Sequence, residues 1–215
     1  MYKQADKLLS KLKNLIRREF NHLGVFGFDE LNAPRVTKET TELYDRLMVE
    51  NKRAYLLAAR KAFANALALA IAAGYLSDDT TEPNEAWVLA FLGAYNFVSG
   101  YLYEPEAERK RLRLSEQIMT SREYQNRTQY NDSLRRSANL WWTQTSHYML
   151  DTVDKATMDA YKQSGVERVK WNTNIDGKEC SVCRERNGQI FDINNVPPKA
   201  HRNCRCYITP VPKNK

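Results

Sequence analysis

From Ser121 to Gln163 the chain has neither glycine nor proline, and good helix formers dominate. A run of that length without a breaker predicts one long helix with at most a single interruption. Ser164-Gly165 should end it, since a glycine just past the last turn takes the left-handed conformation that closes a helix. Trp141, Trp142, Tyr148, Met149, Val153 and Met158 supply its apolar contacts. At helical spacing such a set reads as core packing rather than as a cofactor box.

Other segments carry the same period. Leu8, Leu12, Leu15, Ile16 and Phe20 recur at three- and four-residue steps, with Lys3, Lys7, Asn14, Arg17 and Arg18 on the opposite face. That is a basic amphipathic helix, able to dock on a partner but more commonly just solvated. Gly24, Gly27 and Pro34 interrupt it. A second helix is expected from Thr37, a good N-cap, to Gly74, a good stop. Its half from Ala54 to Ala73 is apolar nearly all round, as in a helix surrounded by neighbours. A polar turn, Ser77 to Pro83, leads to a third helix with Trp87, Phe91, Tyr95 and Val98, stopping near Gly100. Pro105 opens a charged stretch, Glu106 to Arg113, expected as a solvated helix.

Hydrophobic residues at 42% and charged residues at 27% describe a folded chain, which excludes disorder as the default. The formal charge of +7 permits contact with phosphates, yet is also no more than solubility requires. Met1 to Phe20 is too interrupted by Lys and Arg to be a secretory signal. The most apolar window, Ala62 to Leu76, falls short of the roughly 20 residues that span a bilayer, so no transmembrane segment is expected. A reducing cytoplasm follows as the place of folding.

After Gly165 the texture changes. Val166 to Trp171 alternates apolar with charged residues in the manner of a strand. Asp176-Gly177 is a turn signal, Gly188 to Phe191 reads as a second strand and Cys206 to Thr209 as a third. Pro197-Pro198 imposes an extended segment. The expected fold is therefore mainly α: residues 1-165 form a long-helix N-terminal body, and residues 166-215 a small C-terminal α+β module.

All four cysteines lie in that module, in the order Cys180-x2-Cys183, seventeen residues, then His201-x2-Cys204-x-Cys206. Two cysteines with two residues between them chelate one ion from a tight turn, and a distant second pair completes a tetrahedron. In a reducing compartment the pattern points to zinc rather than to two disulfides or four free thiols. Five candidates compete for four places: Cys180 and Cys183 first, then His201, with Cys204 and Cys206 alternatives for the last. A filled four-ligand site is structural, because catalytic zinc keeps a position open for water.

The ordered set Arg168-Val169-Lys170-Trp171, Asp176, Cys180-Ser-Val-Cys183, Gly188-Gln-Ile-Phe191, Pro197-Pro198 and His201-Arg-Asn-Cys204-Arg-Cys206 resembles the C-terminal module of the phage Mu F-like, or head-morphogenesis, family. Ala160-Tyr161 and Ser164-Gly165 resemble the family's approach to that module, so the likeness covers roughly Ser133 to Val211. Two places depart from the family. Thr143-Gln144-Thr145 stands where an Arg-Thr-Glu triplet is common, and Ala200 and Arg202 flank His201 in place of prolines. Met1 to Asn131 carries no motif of the family.

What the resemblance implies is a minor head protein: a virion component assembled in the host cytoplasm. Such a protein associates with the portal, and with the major capsid or scaffold protein, during head assembly, DNA packaging or delivery. Toxin or enzyme domains that follow the module in some members are not expected here. Arg184, Arg186, Arg202 and Arg205 are available either to touch packaged DNA or to brace the metal loop. The alternative classes are a metal-dependent nuclease, a non-specific DNA-binding protein and a zinc-ribbon regulator. A nuclease needs a base and an open metal. Here His22 and His147 stand isolated on helices, while Asp176 and Asp192 read as turn formers, so no enzyme is expected. A regulator needs a recognition helix beside the metal, and Asn187 to Pro198 does not read as one.

Overall fold

A computed structural model describes residues 2–26, 28–76, 86–87, 104–174 and 179–213. The chain is mainly helical with a small C-terminal sheet, as its periodicity predicts. Helix α1 runs Lys3–Val25, α2 Ala33–Ala72, α3 Glu104–Glu123 and α4 Arg127–Gln163, with a 3-10 turn at Phe28–Glu30. Strands β1 (Arg168–Asn172), β2 (Ile190–Asp192) and β3 (Tyr207–Pro210) follow, with the six-residue helix α5 (Ser181–Arg186) between β1 and β2.

Helix boundaries follow local chemistry. Helix α2 begins at Ala33 rather than at Thr37, because the Asn32 side chain accepts the Arg35 N–H at 2.9 Å and caps the helix there. Pro34 falls in the first turn, where a missing N–H costs no intrahelical bond. The other end closes near the expected stop. Gly74 takes φ +81°, its N–H bonds Ile71 O and the Tyr75 N–H bonds Ala70 O, satisfying two terminal carbonyls. Gly165 ends α4 in the same way, at φ +69°, with the Val166 N–H on Tyr161 O.

The one interruption in the breaker-free stretch lies at Tyr124–Asn126. Gln125 adopts φ +49° and Asn126 caps α4 by accepting the Gln129 N–H at 2.9 Å. Helix α3 is longer and less solvated than its charged start suggests, since it buries Ala107, Leu114 and Ile118. In α2, Leu57 and Leu69 stay exposed, so its apolar half is not covered on every side. By length and composition a window of α2 passes for a membrane span, but 56% of it is buried within the protein. The expected third helix, except Ala86 and Trp87, and the Asp176-Gly177 turn lie outside the described residues.

Contacts divide the chain into two compact units. One comprises Lys7–Ala54 and Tyr95–Ser146. Its core gathers Ile16 and Phe20 of α1, Leu43 and Leu47 of α2, Leu114 and Ile118 of α3, and Tyr130 and Trp141 of α4. Trp141 is fully buried and meets Tyr44 edge-on, with ring centroids 4.9 Å apart.

The other unit comprises Met1–Asp6, Tyr55–Ala94 and His147–Lys215. Residue 165 marks where helix gives way to strand, and by contacts residues 166–215 share this unit with 55–94 and 147–165. Its sheet is antiparallel in the order β2-β1-β3, pairing Val169 with Phe191 on one side and Trp171 with Ile208 on the other. Val169 and Trp171 are buried while Arg168 and Lys170 are exposed, the period of two seen in the sequence. The tail after β3 is tied to the end of α2: the Lys213 N–H donates to Ala73 O and the Tyr75 hydroxyl to Val211 O.

Candidate metal centre

Cys180 stands at the N-cap of α5, and its sulfur accepts the Cys183 N–H at 3.4 Å. The two-residue spacing thus becomes one helical turn, which puts both sulfurs on the same side. His201, Cys204 and Cys206 reach this turn from the loop before β3. The ligand atoms of Cys180, Cys183 and His201 lie within 4.8 Å of one another, and so do those of Cys183, Cys204 and Cys206. All five expected residues therefore lie in one or other of two triads, and Cys183 belongs to both. Cys204 and Cys206 enter the second triad together, and both are buried.

All four thiols are free, and Cys183 Sγ lies 3.4 Å from Cys204 Sγ. A disulfide would bring them to about 2.05 Å. Thiolates about 2.3 Å from a tetrahedral ion stand roughly 3.8 Å apart, so these two unbonded sulfurs need to part by only a few tenths of an ångström to serve as co-ligands. The His201 Nδ1 is 3.0 Å from Arg202 O. With the proton of Nδ1 on that carbonyl, Nε2 is the nitrogen left to ligate, the arrangement that commonly orients metal-binding histidines.

The electrostatics fit a cation. Burial pushes the Cys183 thiol well above its ordinary range, with the neighbouring thiols adding to it, and burial likewise raises Cys204. The backbone N–H of Cys183 holds the Cys180 thiol down. Burial alone would raise Cys206, but its contacts with Thr173, the adjacent thiols and Trp171 outweigh it and the net shift is downward. The buried Trp171 Nε1 has no other partner, so an ionised Cys206 is the acceptor for it. Four sulfurs and one imidazole suit a soft or borderline divalent ion, and ionising buried thiols needs the charge such an ion brings.

The surroundings hold the ligands in place. Thr173 donates its hydroxyl to Cys183 O at 2.6 Å and accepts from Cys206 Sγ at 3.7 Å. Its own N–H is taken by Asn187 Oδ1 at 2.9 Å. Trp171, 2% exposed, closes the module's small core edge-on to Phe191, as its place in the strand predicts. Three of the four arginines near the loop have partners within the chain. Arg184 pairs with Glu179, Arg186 donates to Pro198 O and lies over the Trp171 ring, and Arg205 pairs with Asp6. Those contacts are bracing ones.

A cavity of about 290 Å³ borders His201 and Cys204. It is lined by His147, Asp151, Asp154, Lys199 and Arg202 among others. The His147 Nε2 is 3.2 Å from Asp151 Oδ2, one helical turn along, and Lys199 forms an ion pair with Asp154. Burial raises both aspartates above the usual carboxylate range. His147, isolated in sequence, thus has a carboxylate partner that the i,i+4 spacing already offered. His22 instead packs edge-on against Phe26 in the helical unit.

Sequence reasoning missed Tyr2, Asp6, Thr173 and Lys199, none of which has a metal-ligand spacing. Compared with known proteins, the chain matches no family model, no curated protein and no solved structure.

Proposed function

We propose that this chain is a phage minor head protein, a virion component that associates with the portal and inner head through its helical body and ends in a zinc-clamped module. The reading is carried by one observation. The ordered motif Trp171, Cys180-x2-Cys183, Gly188-Gln-Ile-Phe191, Pro197-Pro198, His201-x2-Cys204-x-Cys206 is the one that resembles the Mu F-like module, and its five ligand candidates fall into two triads joined at Cys183. Zinc is the ion that thiolate and imidazole ligands in a closed four-coordinate site favour. Its role is to hold together a sheet of three short strands, which has little core of its own. The chain's contact with packaged DNA is through phosphates, independent of sequence and salt-sensitive.

The test is co-expression with the portal protein of the same genome, then co-purification at low and high salt with the metal quantified. A salt-resistant complex holding about one zinc per chain, as one four-ligand site requires, is the expected result. A well-folded, zinc-loaded chain that the portal ignores refutes the head-protein reading.

One observation favours a second reading, a metal-dependent nuclease. His147 and Asp151 form a base-and-orienter pair in a cavity that also holds Lys199 and Arg202, groups suited to a phosphate. Plasmid cleavage in magnesium that His147→Ala abolishes would establish it. The four-ligand site argues the other way, because it leaves no open position on the metal.

A further inference from the structure

The segment Cys204-Arg205-Cys206 lies before the first residue of β3, so its backbone has no sheet ladder to hold it. Asn203, at φ +60°, turns the chain into it. What holds it comes from the opposite end of the sequence. The Tyr2 hydroxyl shares its one proton between two acceptors, Asp154 Oδ1 at 2.6 Å and Cys206 O at 2.9 Å. Lys199 Nζ donates to that same hydroxyl at 2.6 Å and to Cys204 O at 2.9 Å, and forms an ion pair with Asp154. Asp6, one turn along α1, pairs with Arg205 at 2.7 Å. Three consecutive loop residues are therefore gripped one after another, two by their carbonyls and one by its side chain.

Tyr2, just ahead of α1, is 5% exposed and Ala5 in its first turn 1% exposed, so this end of the helix is packed in, not merely laid on the surface. Lys199 and Arg205 also lie over the Tyr2 ring, at 5.1 and 5.5 Å from its centroid.

We infer that Tyr2 is a positioning residue of the metal centre, fixing Cys204 and Cys206 for the ion so that metal affinity and docking of the N-terminal turn are one coupled equilibrium. The inference rests on the metal reading above. The physical basis is preorganisation: a ligand loop already held in its bound geometry loses less conformational freedom when the ion arrives. By linkage, the ion in turn stabilises the docked turn by the same free energy.

The test uses the full chain and its Tyr2→Phe variant, which keeps the ring and removes only the hydroxyl. Zinc affinity is read by competition with a chromophoric chelator, and ligand geometry by the visible spectrum of the cobalt(II)-substituted protein. Loss of a group that orients ligands typically weakens metal affinity by about 10- to 100-fold, and a fall of that size with an altered cobalt spectrum is expected. Thermal melting of zinc-loaded and stripped protein separates positioning from plain packing. The gap between the two should narrow in Tyr2→Phe, whereas an equal drop in both would overturn the inference. Wild-type zinc affinity in the variant overturns it as well and leaves the metal reading intact. A wild-type chain that takes up neither zinc nor cobalt removes the metal reading itself, and the inference with it.

Discussion

Cys183 and Cys204, 21 positions apart, hold their sulfurs 3.4 Å from one another inside the protein, with Cys183 wholly buried. Cys183 is also the one residue common to both ligand triads. Its replacement by serine should therefore abolish metal retention, and Cys180→Ser, at the more exposed rim, should only weaken it. Metal content of the two purified variants by atomic emission decides the point. Equal retention in both would mean that the triads do not share an ion through Cys183.

Much of this centre is legible in the order and spacing of its residues. The Cys-x2-Cys spacing needs only a turn of helix to become a chelate, and α5 supplies it at Ser181–Arg186. The alternation at Val169 and Trp171 announces a half-buried strand because period two is a property of the pleat. Local signals of this kind survive folding. The start of α2 lies ahead of Thr37 because two good caps compete there, and the Asn32 side chain is the one that accepts a helix N–H. Tyr2 has no such signal at all. Its partners lie 152, 197 and 204 positions away, and nothing in the spacing of a sequence marks a contact of that range. The arginines fall between these cases: a basic cluster is visible, but whether its members face solvent depends on Glu179, Pro198 and Asp6, which tertiary structure alone brings to them.

Thr173 provides the next expectation. Its hydroxyl satisfies Cys183 O and accepts from Cys206 while itself almost fully buried. Thr173→Val keeps the shape and strands that carbonyl, so the change should cost about 1–3 kcal/mol. The loss should fall on this unit and lower metal retention together with it. Hydrogen exchange at the Trp171 and Gly188 amides, which pair with Gln189 O and Trp171 O, reports opening of the sheet directly. Unchanged protection there would show that the hydroxyl holds nothing.

In the other unit, Trp141 is the largest fully buried side chain and packs edge-on against Tyr44. Trp141→Ala removes its burial and the aromatic pair and leaves a cavity, for about 3–5 kcal/mol. Trp141→Phe should cost less, since it keeps a ring against Tyr44. Urea unfolding gives the measurement: the midpoint should fall with the slope unchanged. A loss below about 1 kcal/mol for the alanine variant would contradict the packing described for this core.

Glu106, in the first turn of α3, bonds Arg109 at 2.8 Å and Lys110 at 3.1 Å. Those bonds hold its carboxyl down at about 2, from an ordinary value of 4.5. The sign follows from proton counting. Between those two pH values the unfolded chain binds a proton that the folded chain does not, so stability falls as the solution is acidified. The contribution is fully present above about pH 4.5 and gone near pH 2. Its size is set by solvent screening: two helix-surface pairs are worth about 0.3–0.5 kcal/mol each, so roughly 1 kcal/mol together. The position near a helix N-terminus adds a few tenths more. Glu106→Gln should accordingly lie about 1 kcal/mol below wild type at pH 7. The two proteins should converge as pH drops through 4 towards 2, and the gap at pH 7 should shrink in high salt. Urea midpoints of both proteins across that range provide the measurement, and a gap that persists unchanged at the acid end would show that the charge of Glu106 is not what α3 uses.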